Sequence, residues 1–267
     1  MSNLPSTKNN FLTAVKSDAV KGRFSSILGK NAPAFISALI SVYNGSPKLQ
    51  ECDYKSILSA AGLAATLNLS VTPSLGHAFI VPFKNQAQFV IGWKGYVQLA
   101  MRTGQYITLY AGAVHEGELQ GFDPFTGEPV RGERTGDKVI GYSAYMKLKN
   151  GFEKILYMPV AELKAHAEKY SQTYAYDIRN GKQNSLWAKN FDAMATKTVL
   201  KLLLSKWGIL SADMQTALAS DSAVVDKNSF TYVDNGGNVQ PREDVFVPDA
   251  DEPIDITPAG GDSTPFD

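Results

Sequence analysis

Cysteine is nearly absent from this chain of 267 residues. Cys52 stands alone, which excludes an intramolecular disulfide and any cysteine-rich zinc site. Histidine is almost as scarce. His77, His115 and His166 lie far apart, and none has a second His or Cys at ligand spacing, so no zinc centre is expected. No G-x-x-x-x-G-K-[ST] loop occurs. Gly29-Lys30 lacks the upstream glycine and is followed by Asn31, which removes support for nucleotide hydrolysis. The G-x-S-x-G elbow of serine hydrolases is missing too. No apolar run approaches the ~18 residues needed to span a membrane. The start, MSNLPSTKNNF, lacks the charged-then-apolar order of a signal peptide. The expectation is a cytoplasmic, cofactor-free protein with no membrane partner, and 44% hydrophobic residues supply ample material for a core.

Net charge is also absent, with 26 basic and 26 acidic side chains, which excludes a uniformly basic chromatin-type protein. The cancellation hides a reversal along the chain. Residues 1–220 hold 24 basic and 15 acidic side chains, a balance of +9. From Asp221 to Asp267, Lys227 and Arg242 face eleven acids, a balance of −9. Such asymmetry points to a nucleic-acid-binding body with an acidic tail. The tail is rich in Asp, Pro, Gly and Ser. It has too little apolar surface to offset its ordering entropy and is expected to be mostly disordered, either as a solubilising segment or as an interaction segment. The chain thus divides into a body, 1–220, and a tail, 221–267.

Apolar positions Phe11, Val15, Val20, Phe24, Ile27 and Leu28 recur at helical spacing over 11–29, with Gly29 as a stop. A second helix is expected from Pro33 to Tyr43, and a third, N-capped by Asp53, from Tyr54 to about Leu67. The period then becomes that of strands: 77–83 and 87–91 form a hairpin across Lys84-Asn85-Gln86. A helix spans 93–102, and a strand 106–114. A glycine-rich loop follows, through Gly121, Gly127, Gly132 and Gly136. Asn150-Gly151, a dipeptide suited to a type I′ turn, joins strands 139–149 and 152–158. Pro159 opens a helix from Val160 to about Tyr170. No Gly or Pro occurs between Gly181 and Gly208, so 186–206 reads as one long helix. The fold class is α+β: a small, largely antiparallel sheet packed with helices, a helical N-terminal region and a long C-terminal core helix.

Three cationic faces follow from these elements. On the strand before Asn150, Ile140, Tyr142, Ala144, Met146 and Leu148 point to the core, while Tyr145, Lys147 and Lys149 point away. On the helix after Gly92, Lys94, Gln98 and Arg102 are spaced by four and share one face. Gly92-Trp93-Lys94-Gly95 opens that helix with free N–H groups that favour an anion. On the long helix Lys189, Lys197 and Lys201 form a stripe with Ala193 and Ser205. No acid lies on the matching stripes, so phosphate is the natural partner, although each face taken alone is also what a solvated amphipathic element looks like. Trp93, Tyr96 and Trp187 suit either core packing or base stacking. A different class of function, a metal-dependent nuclease, would have to draw on Asp123, Glu128, Glu133 and Lys138 of the glycine-rich loop.

The runs GHAFIVPF (76–83), QFVIGWKGYVQLAMRTG (88–104), VHEGE (114–118), VIGYSAYMKLKNG (139–151) and MATKTVLK (194–201) resemble the RecT family of phage single-strand annealing proteins. The similarity covers roughly residues 11–210 and keeps the family's order and spacing. Trp93 stands where an aromatic such as Tyr is more usual. The resemblance implies ATP-independent annealing of complementary DNA strands for homologous recombination in a bacterial host, without a catalytic site. The implied partners are single-stranded DNA, the annealed duplex intermediate, further copies of the chain in a ring or helical filament, a phage exonuclease and a host single-stranded-DNA-binding protein. By motif, Lys94, Arg102, Lys147, Lys197 and Lys201 become the leading backbone contacts. Lys84, Lys149, Lys189 and Gln98 form a second rank. An annealer must grip backbones and leave base edges free, which basic stripes without a base-reading code allow. A passive single-strand binder is the alternative. The apolar stripe of the helices over 11–43 is expected to serve contacts between protomers. The tail ends Thr264-Pro265-Phe266-Asp267, similar to the acidic Pro-Phe tip of bacterial single-stranded-DNA-binding proteins but displaced by one residue.

Overall fold

The computed structural model describes residues 7–226, 229–232 and 238–239. The expected disorder of the tail beyond them lies outside the described residues. The molecule is α+β, with antiparallel sheets among helices.

Five α-helices precede the sheets: α1 (Thr7–Lys16), α2 (Asp18–Leu28), α3 (Ala32–Gly45), the short α4 (Pro47–Gln50) and α5 (Tyr54–Thr66). The single helix expected over 11–29 is two. Ser17 ends α1 by donating its hydroxyl to the Ala14 carbonyl at 2.7 Å, and it caps α2 by accepting from Val20 N at 3.3 Å. A serine followed by an acid is a helix start, and here that local preference overrides the continuous apolar period. Phe11, Val15, Val20, Phe24, Phe35, Leu39 and Tyr43 are all buried in the chain's own core. The apolar stripe expected to join protomers is therefore used within one protomer, against α5 (Tyr54–Thr66). That helix carries an unbroken buried run from Ser56 to Ala65 and so is covered on every side, as a helix apolar all round must be.

Strands β1 (Ala78–Phe83) and β2 (Gln86–Ile91) form the expected hairpin, with Lys84 at its tip at φ +52°. Helix α6 (Trp93–Arg102) follows directly. Strand β3 (Tyr106–His115) pairs with β6 (Val139–Leu148), which pairs with β7 (Glu153–Pro159), all antiparallel. The faces of β6 fall as expected: Tyr142, Ala144, Met146 and Leu148 are buried. The glycine-rich loop contains a two-stranded ribbon, β4 (Leu119–Phe122) with β5 (Pro129–Arg131). Its strands are too short for a period-2 signal to register.

Helix α7 (Val160–Tyr170) matches expectation, and α8 (Gln172–Asn180) follows it. The long helix expected over 186–206 is broken into α9 (Leu186–Lys189) and α10 (Phe191–Trp207). Asn190, at φ −138° and ψ 56°, makes the break. The bend brings Trp187 into ring contact with both Tyr174 (6.2 Å) and Phe191 (5.7 Å). Helix α10 then packs across β3, β6 and β7. After α11 (Ala212–Ser220), strand β8 (Ala223–Asp226) joins the edge of β2 and continues through β9 (Ser229–Tyr232) and β10 (Asn238–Val239). The boundary drawn after Ser220 thus falls inside a structured region. No helix among the described residues is long and apolar enough to cross a membrane.

Candidate nucleic-acid interface

The face on α6 is built as its spacing requires. Gly95, Tyr96, Leu99 and Ala100 turn inward, and Lys94, Gln98 and Arg102 are exposed. The glycines of this block are explained by packing. A Cβ on Gly92 would lie 2.1 Å from the Gly76 carbonyl oxygen, and one on Gly95 would lie 2.1 Å from that of His77. Gly92 N donates to the His77 carbonyl at 3.0 Å. The segment 76–77 therefore crosses the first turn of α6 in direct backbone contact. One of the N–H groups read as free for an anion is already satisfied by a carbonyl.

Along the exposed face the cations differ in their commitments. The Lys94 ammonium lies 5.7 Å from the Trp93 ring centroid. The Arg102 guanidinium donates to the carbonyls of Leu67 and Asn68, both at 2.6 Å, and so caps the C-terminal end of α5. His77 sits beside this face. Burial, then the charges of Arg102 and Lys94, push its imidazole below the usual histidine range.

On β6, Lys147 pairs with Glu153 at 3.3 Å, and the Tyr145 hydroxyl donates to the same carboxylate at 2.7 Å. Those two groups hold Glu153 below its ordinary value. Lys149 and Lys84 are exposed, and the Lys84 ammonium lies 5.7 Å from the Phe83 ring centroid. Lys189 is exposed on α9, separated by the bend at Asn190 from the helix that carries Lys197 and Lys201.

The third face departs most from expectation. Lys197 is buried, with its side chain 8% exposed, and its ammonium lies 2.7 Å from Asp221 Oδ1. Lys201, half-buried, reaches Asp221 Oδ2 at 2.9 Å. The same carboxylate accepts from Ile91 N and from the Tyr96 hydroxyl, both at 3.1 Å. Burial works to raise the Asp221 carboxyl, but the two ammonium groups together hold it well below the usual range. Burial in turn draws Lys197 below the ordinary lysine value, against the pull of Asp221. Lys197, expected as a backbone contact, is thus turned inward and paired, and its partner is an acid that the charge count assigned to the tail. The sequence signal that places Asp221 in the fold is the run Ala223-Val224-Val225 behind it, which has the composition of a strand.

Of the acids of the glycine-rich loop, Asp123 is engaged in turn geometry. Asp123 Oδ1 accepts from the N–H groups of Phe125 and Thr126, both at 2.8 Å, which lowers its carboxyl from the ordinary value. Lys138 pairs with Glu116 at 3.3 Å. Among the described residues no group of three His, Cys, Asp or Glu side chains is placed to hold a metal ion.

Comparison with known proteins gives concordant results. The sequence model of the RecT family matches residues 33–233. The chain is 40% identical over 267 aligned residues to an uncharacterised protein of Bacillus subtilis, YqaK, covering 95% of this chain and 89% of that one. It is 28% identical over 186 residues to Protein RecT of Escherichia coli, covering 66% of this chain and 65% of that one.

Proposed function

The chain belongs to the RecT family, a family of single-strand annealing recombination proteins, and from that premise we propose that it pairs complementary DNA strands without ATP, as a homo-oligomer that grips the phosphate backbones along its basic faces. The observation that carries this reading is the exposed row Lys94, Gln98 and Arg102 on α6, set in the block that most resembles the family and locked to segment 76–77 by two glycines. A rigid cationic row binds phosphate without reading bases, which leaves base edges free to pair. Duplex formation itself supplies the free energy, so no cofactor is required.

In this reading Lys94 and the exposed Lys84, Lys149 and Lys189 lead the contacts, with Gln98. Arg102 adds charge while capping α5. Lys147 contributes once Glu153 yields it. Lys201 faces the DNA only in part, and Lys197 acts from beneath, anchored on Asp221. An exonuclease and a single-stranded-DNA-binding protein of the host are the accessory partners. The body and the acidic tail act as separate units of function.

The test is to mix the protein with two complementary oligonucleotides at low salt, without nucleotide. Faster duplex formation than in the protein-free control is expected. No acceleration removes the proposal. Slower pairing with intact DNA identifies a passive binder instead, and Mg²⁺-dependent cleavage identifies a nuclease.

A further inference from the structure

The β4–β5 ribbon carries the most exposed large apolar side chain of the described residues. Phe125, at its tip, is 96% exposed, and Phe122 and Val130 on the same ribbon are 51% and 44% exposed. The turn beneath is well tied. Besides the two bonds to Asp123 Oδ1, Gly127 N donates to the Asp123 carbonyl and Asp123 N to that of Glu128, both at 2.8 Å. Gly127 has φ +67°, a left-handed conformation that glycine adopts without strain. A single exposed apolar side chain needs no explanation, but a phenyl ring held out on a pinned turn, on a ribbon with two more exposed apolar side chains, is a preorganised anchor.

A cleft of about 620 Å³ lies between α7, α8, α9 and the start of β6. Tyr142, Tyr174, Trp187 and Phe191 form a chain of ring contacts along it, with centroids 5.7–6.2 Å apart. Its acids are consumed within the chain. Asp192 accepts from the Tyr142 hydroxyl, and Asp177 accepts from the N–H groups of Asn184 and Ser185. The lysines at the cleft, Lys164 and Lys182, make no ion pair among the described residues. The cleft is thus aromatic inside and cationic at its rim.

We propose that Phe125 of one copy of this chain inserts into the Trp187–Phe191 cleft of the next copy. Ring and cleft match in chemistry, and charge matches as well: Asp123 and Glu128 flank the phenyl group, and Lys164 and Lys182 line its receptor. The same two acids repel a phosphate backbone, which favours a protein partner over a base stack. Knob and receptor are different surfaces, so the contact is head-to-tail and repeats from copy to copy, giving a ring if it closes and a filament if it does not. A phenyl ring buries only ~200 Å². Phe125 therefore acts as the anchor of a wider contact in which Phe122 and Val130 take part. The proposal rests on the reading of the chain as a homo-oligomer and names the surface that makes it one.

The experiment measures mass by light scattering over a concentration series, with and without a single-stranded oligonucleotide, on the full chain. Phe125→Ala is expected to lower the association constant about 30-fold or more, as the loss of an interface anchor does. Lys164→Glu combined with Lys182→Glu is expected to act in the same direction. Mixing the two variants leaves one intact knob and one intact cleft per pair, so complexes of two chains and no larger should form. Thermal unfolding of Phe125→Ala should match the parent chain, since the residue is 96% exposed in the protomer. A parent chain that never assembles, or an unchanged mass for Phe125→Ala, overturns the proposal. So does weaker DNA binding by Phe125→Ala at unchanged mass, which would make Phe125 a wedge for DNA. If Phe266→Ala reproduces the cleft variant while Phe125→Ala is silent, the cleft receives the chain's own end, and the proposal again falls. Annealing is scored separately with oligonucleotides, so failure of that reading is distinguishable from failure of this one.

Discussion

The rows on α6 and α10 have the same form in the sequence. Lys94, Gln98 and Arg102 recur every four residues on one helix, and Lys197 and Lys201 do so on the other. In the structure they are opposites. The first row is exposed, whereas the second begins with a buried lysine locked to Asp221. Spacing determines which side chains share a face of a helix. Whether that face meets water depends on what packs against it. For α10 the packing includes Asp221, which lies 24 residues after Lys197 and 20 after Lys201.

The largest effect expected from breaking this contrast comes at Asp221. Asp221→Asn leaves Lys197 without its counter-charge in the interior, and a loss of about 3–5 kcal/mol is expected in urea unfolding. The pH dependence has a definite sign. A carboxyl held below its unfolded value contributes stability that is present above that value, near 3.9, and is lost as pH falls through the folded one. The melting temperature of the parent chain should therefore fall below about pH 4, with a flatter response in Asp221→Asn. Equal slopes in the two proteins would show that Asp221 is not the group that titrates.

Gly95→Ala should follow in size. Its Cβ would meet the His77 carbonyl at 2.1 Å, and backbone cannot step aside as a side-chain end can. A cost of about 1–3 kcal/mol is expected, read from the same denaturant curves. Gly22→Ala, where nothing lies within 4 Å of the added Cβ, is the control and should not destabilise. Arg102→Ala removes two hydrogen bonds to the end of α5 and should cost about 1 kcal/mol, besides weakening DNA binding. If stability is untouched while DNA binding drops, the capping role is minor and the phosphate role dominates.

The smallest effect on stability, and the most telling for function, is at Lys94. Lys94→Ala should leave stability within about 0.5 kcal/mol. It should also reduce the salt slope of single-strand binding by about 0.7, the value of one released counterion on a single strand. Lys197→Met should destabilise the fold and leave that slope unchanged. The reverse pattern would return Lys197 to the list of phosphate contacts.

Much of the fold is legible in the sequence, for local reasons. The hairpin across Lys84-Asn85, the strands around Asn150-Gly151 and the helices after Gly92 and Pro159 are marked by turn chemistry and by changes of period. What escapes has weak local marks. Asn190 breaks a helix without Gly or Pro because Trp187 and Phe191 gain a shared aromatic cluster. The β4–β5 ribbon, with three and four residues per strand, is held by Asp123 and its turn rather than by an apolar face. Of the candidate site, the exposure of Lys84, Lys94, Gln98, Lys149 and Lys189 follows from their elements. The carboxylate on Lys147 lies across the next strand, and the one on Lys197 lies beyond α11.

The sequence by itself determined the family, the α+β class, the existence of the main hairpins and the row on α6, because these depend on neighbours within a few residues; the register of those hairpins was set by the turns that the fold adopts, Phe83 facing Gln86 and Lys147 facing Glu153. Only the tertiary structure decided which charges are available. Charge balance is a sum over residues, but availability depends on through-space distance and on the dielectric around each group. By charge balance along the chain, Asp221 is the first acid of a tail. Held 2.7 Å from Lys197 and sealed from water, it belongs to the core of the body, and one of the cations of the basic stripe holds that core together.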